Sequence, residues 1–267
     1  IGFIGGGNMA QAIITGLLNS GRSSSDILVS DPNPACRNAL GAMGVSCSEQ
    51  SGPVIAQADL IVLAVKPQIM DTVLAELSPS LQTTQIIISI AAGITIGSIR
   101  QQLDNAPNAI VRVMPNTPAL IGQGISALAS DLPLDGSTKN AVQEIFNACG
   151  EALWVSREDM MDAVTAVSGS GPAYFFLMIE NLINTGVRLG LAPEVARELV
   201  VQTAKGAAGM VEVSTVGPDE LRQRVTSPGG TTEAALGVFD DGDFADLVDR
   251  ALVAARDRAG ELSKDAP

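Results

Sequence analysis

The sequence predicts an α/β chain, with a doubly wound parallel sheet over residues 1–157 and an all-helical region over residues 158–267. Three observations predict it. Short apolar runs alternate with helical patterns in the first part, the mark of strands joined by crossover helices. The strand pattern stops near residue 158. A glycine-rich turn, IGFIGGGNMA at 1–10, joins the first run to the first helical pattern.

The runs expected to be strands are IGFI (1–4), DILVS (26–30), LIVLAV (60–65), IIISIA (86–91), AIVRVM (109–114), ISALAS (125–130) and ALWVS (152–156). They are almost wholly apolar, as strands covered on both faces must be. NMAQAIITGLLNSG and NPACRNALGAMG read as helices between the early ones. From 159 to 215 the chain reads as two or three long apolar helices, broken at SGSGP (168–172) and GLAP (190–193). GPDELRQRV, the TTEAAL segment and a charged amphipathic helix over 243–264 follow. The middle helices are apolar on most faces and so require burial, which a subunit interface supplies.

Hydrophobic residues make up 46% of the chain, enough for a sizeable core, which excludes disorder. No run reaches the ~18 apolar residues a bilayer span needs; AYFFLMI at 173–179 stops at Glu180. There is no secretory signal pattern, and Ile1 already lies inside a hydrophobic run, so residues are expected to precede it. A cytoplasmic location without membrane association is the expectation. The net charge of −13 argues against a nucleic-acid surface, so an anionic ligand must be held by helix N-termini and backbone N–H groups. The absence of histidine excludes a Ser-His-Asp triad, a His-ligated zinc and a His general acid. Cys36, Cys47 and Cys149 lack metal-ligand spacing and are expected to be buried reduced thiols, with no metal site.

Gly5, Gly7 and Ala10 form G-x-G-x-x-A between a strand and a helix. Gly5 suits the tight turn, Gly7 the close approach of a pyrophosphate, and Ala10 the packing of helix on strand. The helix then presents free N–H groups and its positive end to the phosphates. Ser30, Asp31, Pro32 and Asn33 end the second strand, where a ribose is read. Asp31 can accept the ribose hydroxyls of NAD. Alternatively it turns away, Ser30 or Asn33 donates, and Arg37 compensates a 2′-phosphate. Both readings stay open. AVKP (64–67), AAG (91–93) and MPNTP (114–118) lie at further strand ends, where open α/β sheets bind ligands. Lys66 is the cation among them, and Asn116 and Thr117 suit a nicotinamide amide.

A second glycine turn, TSPGGTT at 226–232, also precedes a helical pattern. It lacks the lysine of a P-loop, so a small carboxylate fits it better than a nucleoside triphosphate. Successive amides of Gly230, Thr231 and Thr232 would hold that carboxylate. The alternative is an ordinary helix cap made by Thr231 or Thr232, with Glu233 in the first turn.

In this order, GGGNMA, AVKPQ, SIAAGI, MPNTPA, DAVTAVSGSGPAYFF and VTSPGGTTEAAL closely resemble the pyrroline-5-carboxylate reductases, over essentially the whole chain. The last segment is the most specific and the first the least. The resemblance implies a Rossmann-type domain followed by an all-helical dimerisation domain. It implies a homodimer, with a higher homo-oligomer such as a decamer as an extension. The implied reaction is the last step of proline biosynthesis, NAD(P)H-dependent hydride transfer to C5 of the cyclic imine 1-pyrroline-5-carboxylate, giving L-proline. By the same resemblance Gly230, Thr231 and Thr232 hold the substrate carboxylate, with Ser227 in the same turn and Thr165 and Ser168 nearby. Thr232, the catalytic residue, also contacts the ring nitrogen. Gly5, Gly7, Asn8, Met9, Ala10, Ser30, Asp31, Ala64, Lys66, Pro67, Ala91 and Asn116 line the cofactor. NADP(H) is the expected cofactor and NAD(H) the alternative. Asp31 is a departure, since relatives that prefer NADPH often carry a small hydroxyl residue there. If the substrate binds as an iminium, the hydride step needs no proton, and a chain without histidine suffices. The β-hydroxyacid dehydrogenases share the layout but resemble G-x-G-x-x-x-K, and GSGPAYF at 169–175 has no lysine.

Overall fold

The computed structural model describes residues 1–104 and 106–264. Its strands are β1 (Gly2–Ile4), β2 (Leu28–Ser30), β3 (Ser46–Ser48), β4 (Leu60–Leu63), β5 (Ile86–Ser89), β6 (Ile110–Met114), β7 (Gly124–Ser130) and β8 (Gly150–Trp154). Among the described residues they form one sheet in the order β3-β2-β1-β4-β5-β6-β7-β8. Each of the seven apolar runs contains a strand. DILVS is trimmed at its start because residues 24–26 close a 3₁₀ turn, capped by the Ser23 side chain. β3 is too short and too polar to stand out as a run. The pairs from β3 to β6 are parallel, but β7 lies antiparallel to β6, which corrects the expectation of a parallel sheet throughout. The connection between them holds only a 3₁₀ turn at Thr117–Ile121. Without a crossover layer the chain doubles back.

The helices on this sheet are α1 (Asn8–Asn19), α2 (Pro34–Gly41), α3 (Gly52–Ile55), α4 (Met70–Leu77), α5 (Ile96–Gln102) and α6 (Gly136–Asn147). Strand residues alternate between two apolar clusters, as the period of two requires. Phe3, Val62, Ile88 and Val111 meet Ile13, Ile14, Leu17 and Phe146 on one face. Ile4, Ile61, Leu63, Ile87 and Ile110 meet Met70, Leu74 and Ile99 on the other. Each such side chain, fully buried, contributes about 1.5–3 kcal/mol.

The chain divides into two units, one of Ile1–Ser170 with the residues from Ala255 onward, the other Gly171–Ala254. The change of pattern at 157/158 therefore precedes the division: α7 (Met161–Val164) and a π-helical turn at Thr165–Gly169 stay with the sheet. Helix α12 (Phe244–Lys264) is continuous, and its later turns belong to the sheet unit. There a Cβ on Gly93 would stand 3.4 Å from the Leu262 carbonyl oxygen. In the helical unit α8 (Gly171–Arg188) is followed by Gly190, whose φ of +101° favours glycine, and the chain turns back into α9 (Pro193–Val213). Ala196 is buried where Gly186 lets α8 and α9 approach. α10 (Pro218–Arg224) and α11 (Thr231–Asp241) follow. Phe175, Phe176, Leu177, Val213 and Val238 of this unit are exposed. Among the described residues, no helix is long and apolar enough to cross a membrane.

Candidate active site

The strand order reverses between β1 and β4, the switch point where open α/β sheets bind ligands. Gly5 turns the chain there with φ +101°, and a Cβ on it would lie 2.5 Å from the Ala64 carbonyl oxygen, so only glycine fits. Its N–H donates to the Ser30 carbonyl at 2.7 Å. Gly7 caps α1 in an extended conformation, offers no side chain to the first amides, and a Cβ on it would face open space. Asn8, Met9 and Ala10 occupy the first turn, their N–H groups directed out of the helix end. Ala10 is buried against the sheet. The turn therefore combines an uncapped N-terminus with room for a ligand, as a pyrophosphate requires.

Asp31 is committed within the protein. Its Oδ2 accepts the Gly6 N–H at 2.7 Å and its Oδ1 the Asn33 N–H at 2.7 Å. The carboxylate braces the glycine turn onto the end of β2. Beside it, Arg37 Nη1 donates to the carbonyls of Asp31 at 2.7 Å and Pro32 at 2.8 Å, and Nη2 lies 3.7 Å from Glu49. A guanidinium is thus folded onto this loop. Ser30 is buried at the strand end, and Asn33 caps α2 through the Ala35 N–H.

The structure brings Ala64, Lys66, Pro67, Ala91 and Asn116 to the same ends of neighbouring strands. Lys66 is exposed after β4, before a 3₁₀ turn that opens at Pro67. Ala91 is buried after β5. Asn116 follows β6 and is nearly buried; its Oδ1 accepts the Ile125 N–H at 2.9 Å and its Nδ2 donates to the Ser168 carbonyl at 3.1 Å. Thr165 Oγ1 donates to the Met161 carbonyl at 2.7 Å and Ser168 Oγ to the Val164 carbonyl at 3.0 Å. The bond to Ser168 joins residues too far apart in the chain for any local pattern to show it.

In the helical unit the cap of α11 is Gly230, not a threonine, and it supplies no side-chain bond. Thr231 and Thr232 are the first two helical residues, Thr232 being half-buried. Glu233 turns back, its Oε2 accepting the Gly229 N–H at 2.6 Å. Ser227 accepts the Gly230 N–H on its carbonyl at 3.0 Å. The first amides of α11 thus have no side-chain cap, and the threonine-cap alternative does not describe the turn. Cys149 is buried, and burial pushes its thiol above the ordinary range. Cys36 and Cys47 are only half-buried, because α2 and β3 lie at the sheet edge.

Comparison with known proteins agrees with this geometry. The family model described as Pyrroline-5-carboxylate reductase dimerisation matches residues 158–262, and that described as NADP oxidoreductase coenzyme F420-dependent matches residues 1–93. Pyrroline-5-carboxylate reductase of Pseudomonas aeruginosa is 46% identical over 265 residues, 99% of this chain and 97% of that one. The solved pyrroline-5-carboxylate reductase of Coxiella burnetii superposes with a TM-score of 0.93 at 40% identity, covering 98% of this chain and 97% of its own. The Plasmodium falciparum pyrroline carboxylate reductase, solved with NADP bound, gives 0.87 at 34% identity, covering 98% and 97%. With such identity along nearly all of its length, this chain belongs to the pyrroline-5-carboxylate reductase family.

Proposed function

We propose that the two uncapped helix starts divide the reaction, α1 holding the pyrophosphate of the cofactor and α11 the carboxylate of the substrate. The reaction is NAD(P)H-dependent reduction of the C=N bond of 1-pyrroline-5-carboxylate, giving L-proline as the last step of proline biosynthesis. The cofactor is NADP(H), with NAD(H) the alternative. The chain's residues fit it: Gly7 leaves space over the α1 amides, and Arg37 lies beside the ribose end of β2. Bound NADPH supplies the hydride that adds to C5. Gly5, Gly7, Asn8, Met9 and Ala10 hold the phosphates, Ser30 and Asp31 shape the ribose end, and Ala64, Lys66, Pro67, Ala91 and Asn116 line the rest of the cofactor site.

The carrying observation is the start of α11, where Gly230 provides the cap without a side chain and leaves the Thr231 and Thr232 amides to an anion. Ser227 and Gly230 shape that turn; by likeness to the family, Thr165 and Ser168 also bind the substrate. Thr232 orients the ring nitrogen. An iminium substrate becomes a neutral amine when hydride arrives, so these hydroxyls position and need not donate a proton. Residues 1–157 form the cofactor domain and 158–267 the dimerisation domain of a cytoplasmic homodimer, which extends to a higher oligomer such as a decamer. Exposed Phe175, Phe176 and Leu177 support association of the helical unit.

The test follows oxidation of NADPH and NADH in parallel with racemic pyrroline-5-carboxylate. Rapid consumption of either establishes the reaction; binding of both without consumption sinks it. Thr232→Ala should lower kcat/KM by about 10- to 100-fold, the loss of one charge-assisted hydrogen bond, without abolishing turnover. Full activity in that variant removes Thr232 from the mechanism.

A further inference from the structure

One face of β6 carries the segment that holds Thr165 and Ser168. Arg112, Met114 and Asn116 recur at every second residue, and Asn116 is still extended (φ −134°, ψ 166°), so the three share a side. Buried Arg112 pairs through Nη1 with Glu158 Oε1 at 3.1 Å, and the same oxygen accepts the Ile96 N–H at 2.7 Å. Met114 lies under Gly169, where a Cβ would collide with its Cε. Asn116 completes the row through the Ser168 carbonyl, and the Ile125 N–H on its Oδ1 fixes which way the amide points.

The Ser168 carbonyl needs an outside donor. In an α-helix it would accept from residue 172, but Pro172 has no N–H. The backbone instead widens into the π turn, with the Ser170 N–H on the Thr165 carbonyl at 2.8 Å. Such turns are frequent at functional sites. Both hydroxyls bond back to their own helix, so their place follows the register of this turn.

We propose that Asn116 is a positioning residue, which fixes the π turn against the end of β6 and thereby sets where Thr165 and Ser168 stand. The proposal rests on the reading that these two hydroxyls line the substrate. It gives Asn116 a duty besides lining the cofactor: its oxygen accepts the Ile125 N–H and one amide hydrogen goes to the Ser168 carbonyl, while the second amide hydrogen stays available to a ligand.

Asn116→Asp keeps an acceptor for the Ile125 N–H but turns a lone pair toward the Ser168 carbonyl. It should lower kcat/KM for pyrroline-5-carboxylate by about 10- to 100-fold, as small misplacements of a reacting pair do. Because Asn116 also lines the cofactor, the Kd for NADPH is read by fluorescence titration in Pro172→Ala, which alters no cofactor-lining residue, and should stay within about twofold. Pro172→Ala is the second variant and does not depend on tolerating a buried charge. It supplies the missing N–H, draws the Ser168 carbonyl into α register and should give the same kinetic pattern at an unchanged melting temperature. Wild-type turnover and imine KM in Asn116→Asp at saturating NADPH, with only the NADPH Kd raised about tenfold or more, would make Asn116 a cofactor contact alone and overturn the proposal. Wild-type kinetics in both variants would overturn it too. Thr165→Ala and Ser168→Ala separate the two levels. If both retain the wild-type KM for the imine, the substrate reading falls and the proposal with it; if they raise it while Asn116→Asp is silent, the proposal alone falls.

Discussion

Asp31 and Arg37 divide the end of β2 between them. In the sequence, Asp31 stands where a carboxylate reads the ribose of NAD, and nothing local says where its oxygens go. The structure gives both of them to backbone N–H groups, those of Gly6 and Asn33. Arg37, folded over the carbonyls of Asp31 and Pro32, is the cation beside that strand end, and its role toward a 2′-phosphate is a prediction. Arg37→Ala should raise the KM for NADPH about tenfold or more, the loss of a charge-assisted bond, and change that for NADH far less. Parallel steady-state titrations check it; equal loss for both cofactors would return Arg37 to a merely structural duty.

At the scale of the element, strands and caps were legible to different degrees. The seven apolar runs revealed their strands because a buried parallel sheet leaves no polar face. SCS at 46–48 escaped because an edge strand of three small residues has no hydrophobic signature. Direction was illegible as well: nothing in ISALAS distinguishes a parallel β7 from an antiparallel one, and only the short connection after β6 decides it. The cap of α11 was ambiguous because glycine and threonine are both acceptable there. α6 shows the ordinary kind of cap, with Asp135 Oδ1 accepting the Thr138 N–H at 2.8 Å. Hydrogen bonds, that from Ser137 foremost, hold the Asp135 carboxyl below its usual range. A carboxyl lowered on folding stabilises at pH values above its unfolded pKa, and the contribution is lost as pH falls through the lowered folded value. Asn caps nearly as well but does not titrate. The melting temperature of Asp135→Asn should therefore lie below wild type at neutral pH, and the gap should close in acid. A gap that widens on acidification would contradict the assignment.

At the scale of the whole molecule, the sequence showed two regions of different composition and helices too apolar to stay exposed. It did not show that contacts group residues up to Ser170 with the sheet, because the apolar pattern of the helical half begins earlier than the division. Phe176, 63% exposed on α8, is a large apolar side chain open to association. Phe176→Asp should reduce the mass measured by light scattering toward that of one chain, with reductase activity falling alongside. An unchanged assembly would place the interface on another face. The passage of α12 back to the sheet unit has a consequence for synthesis. A cofactor-binding unit assembled from both early and late segments cannot finish folding while the ribosome is still making the helices between them. Until the turns of α12 beyond Ala255 emerge, the Gly93 turn lacks its cover. The nucleotide fold therefore closes last, after the apolar helices between its two parts have been made.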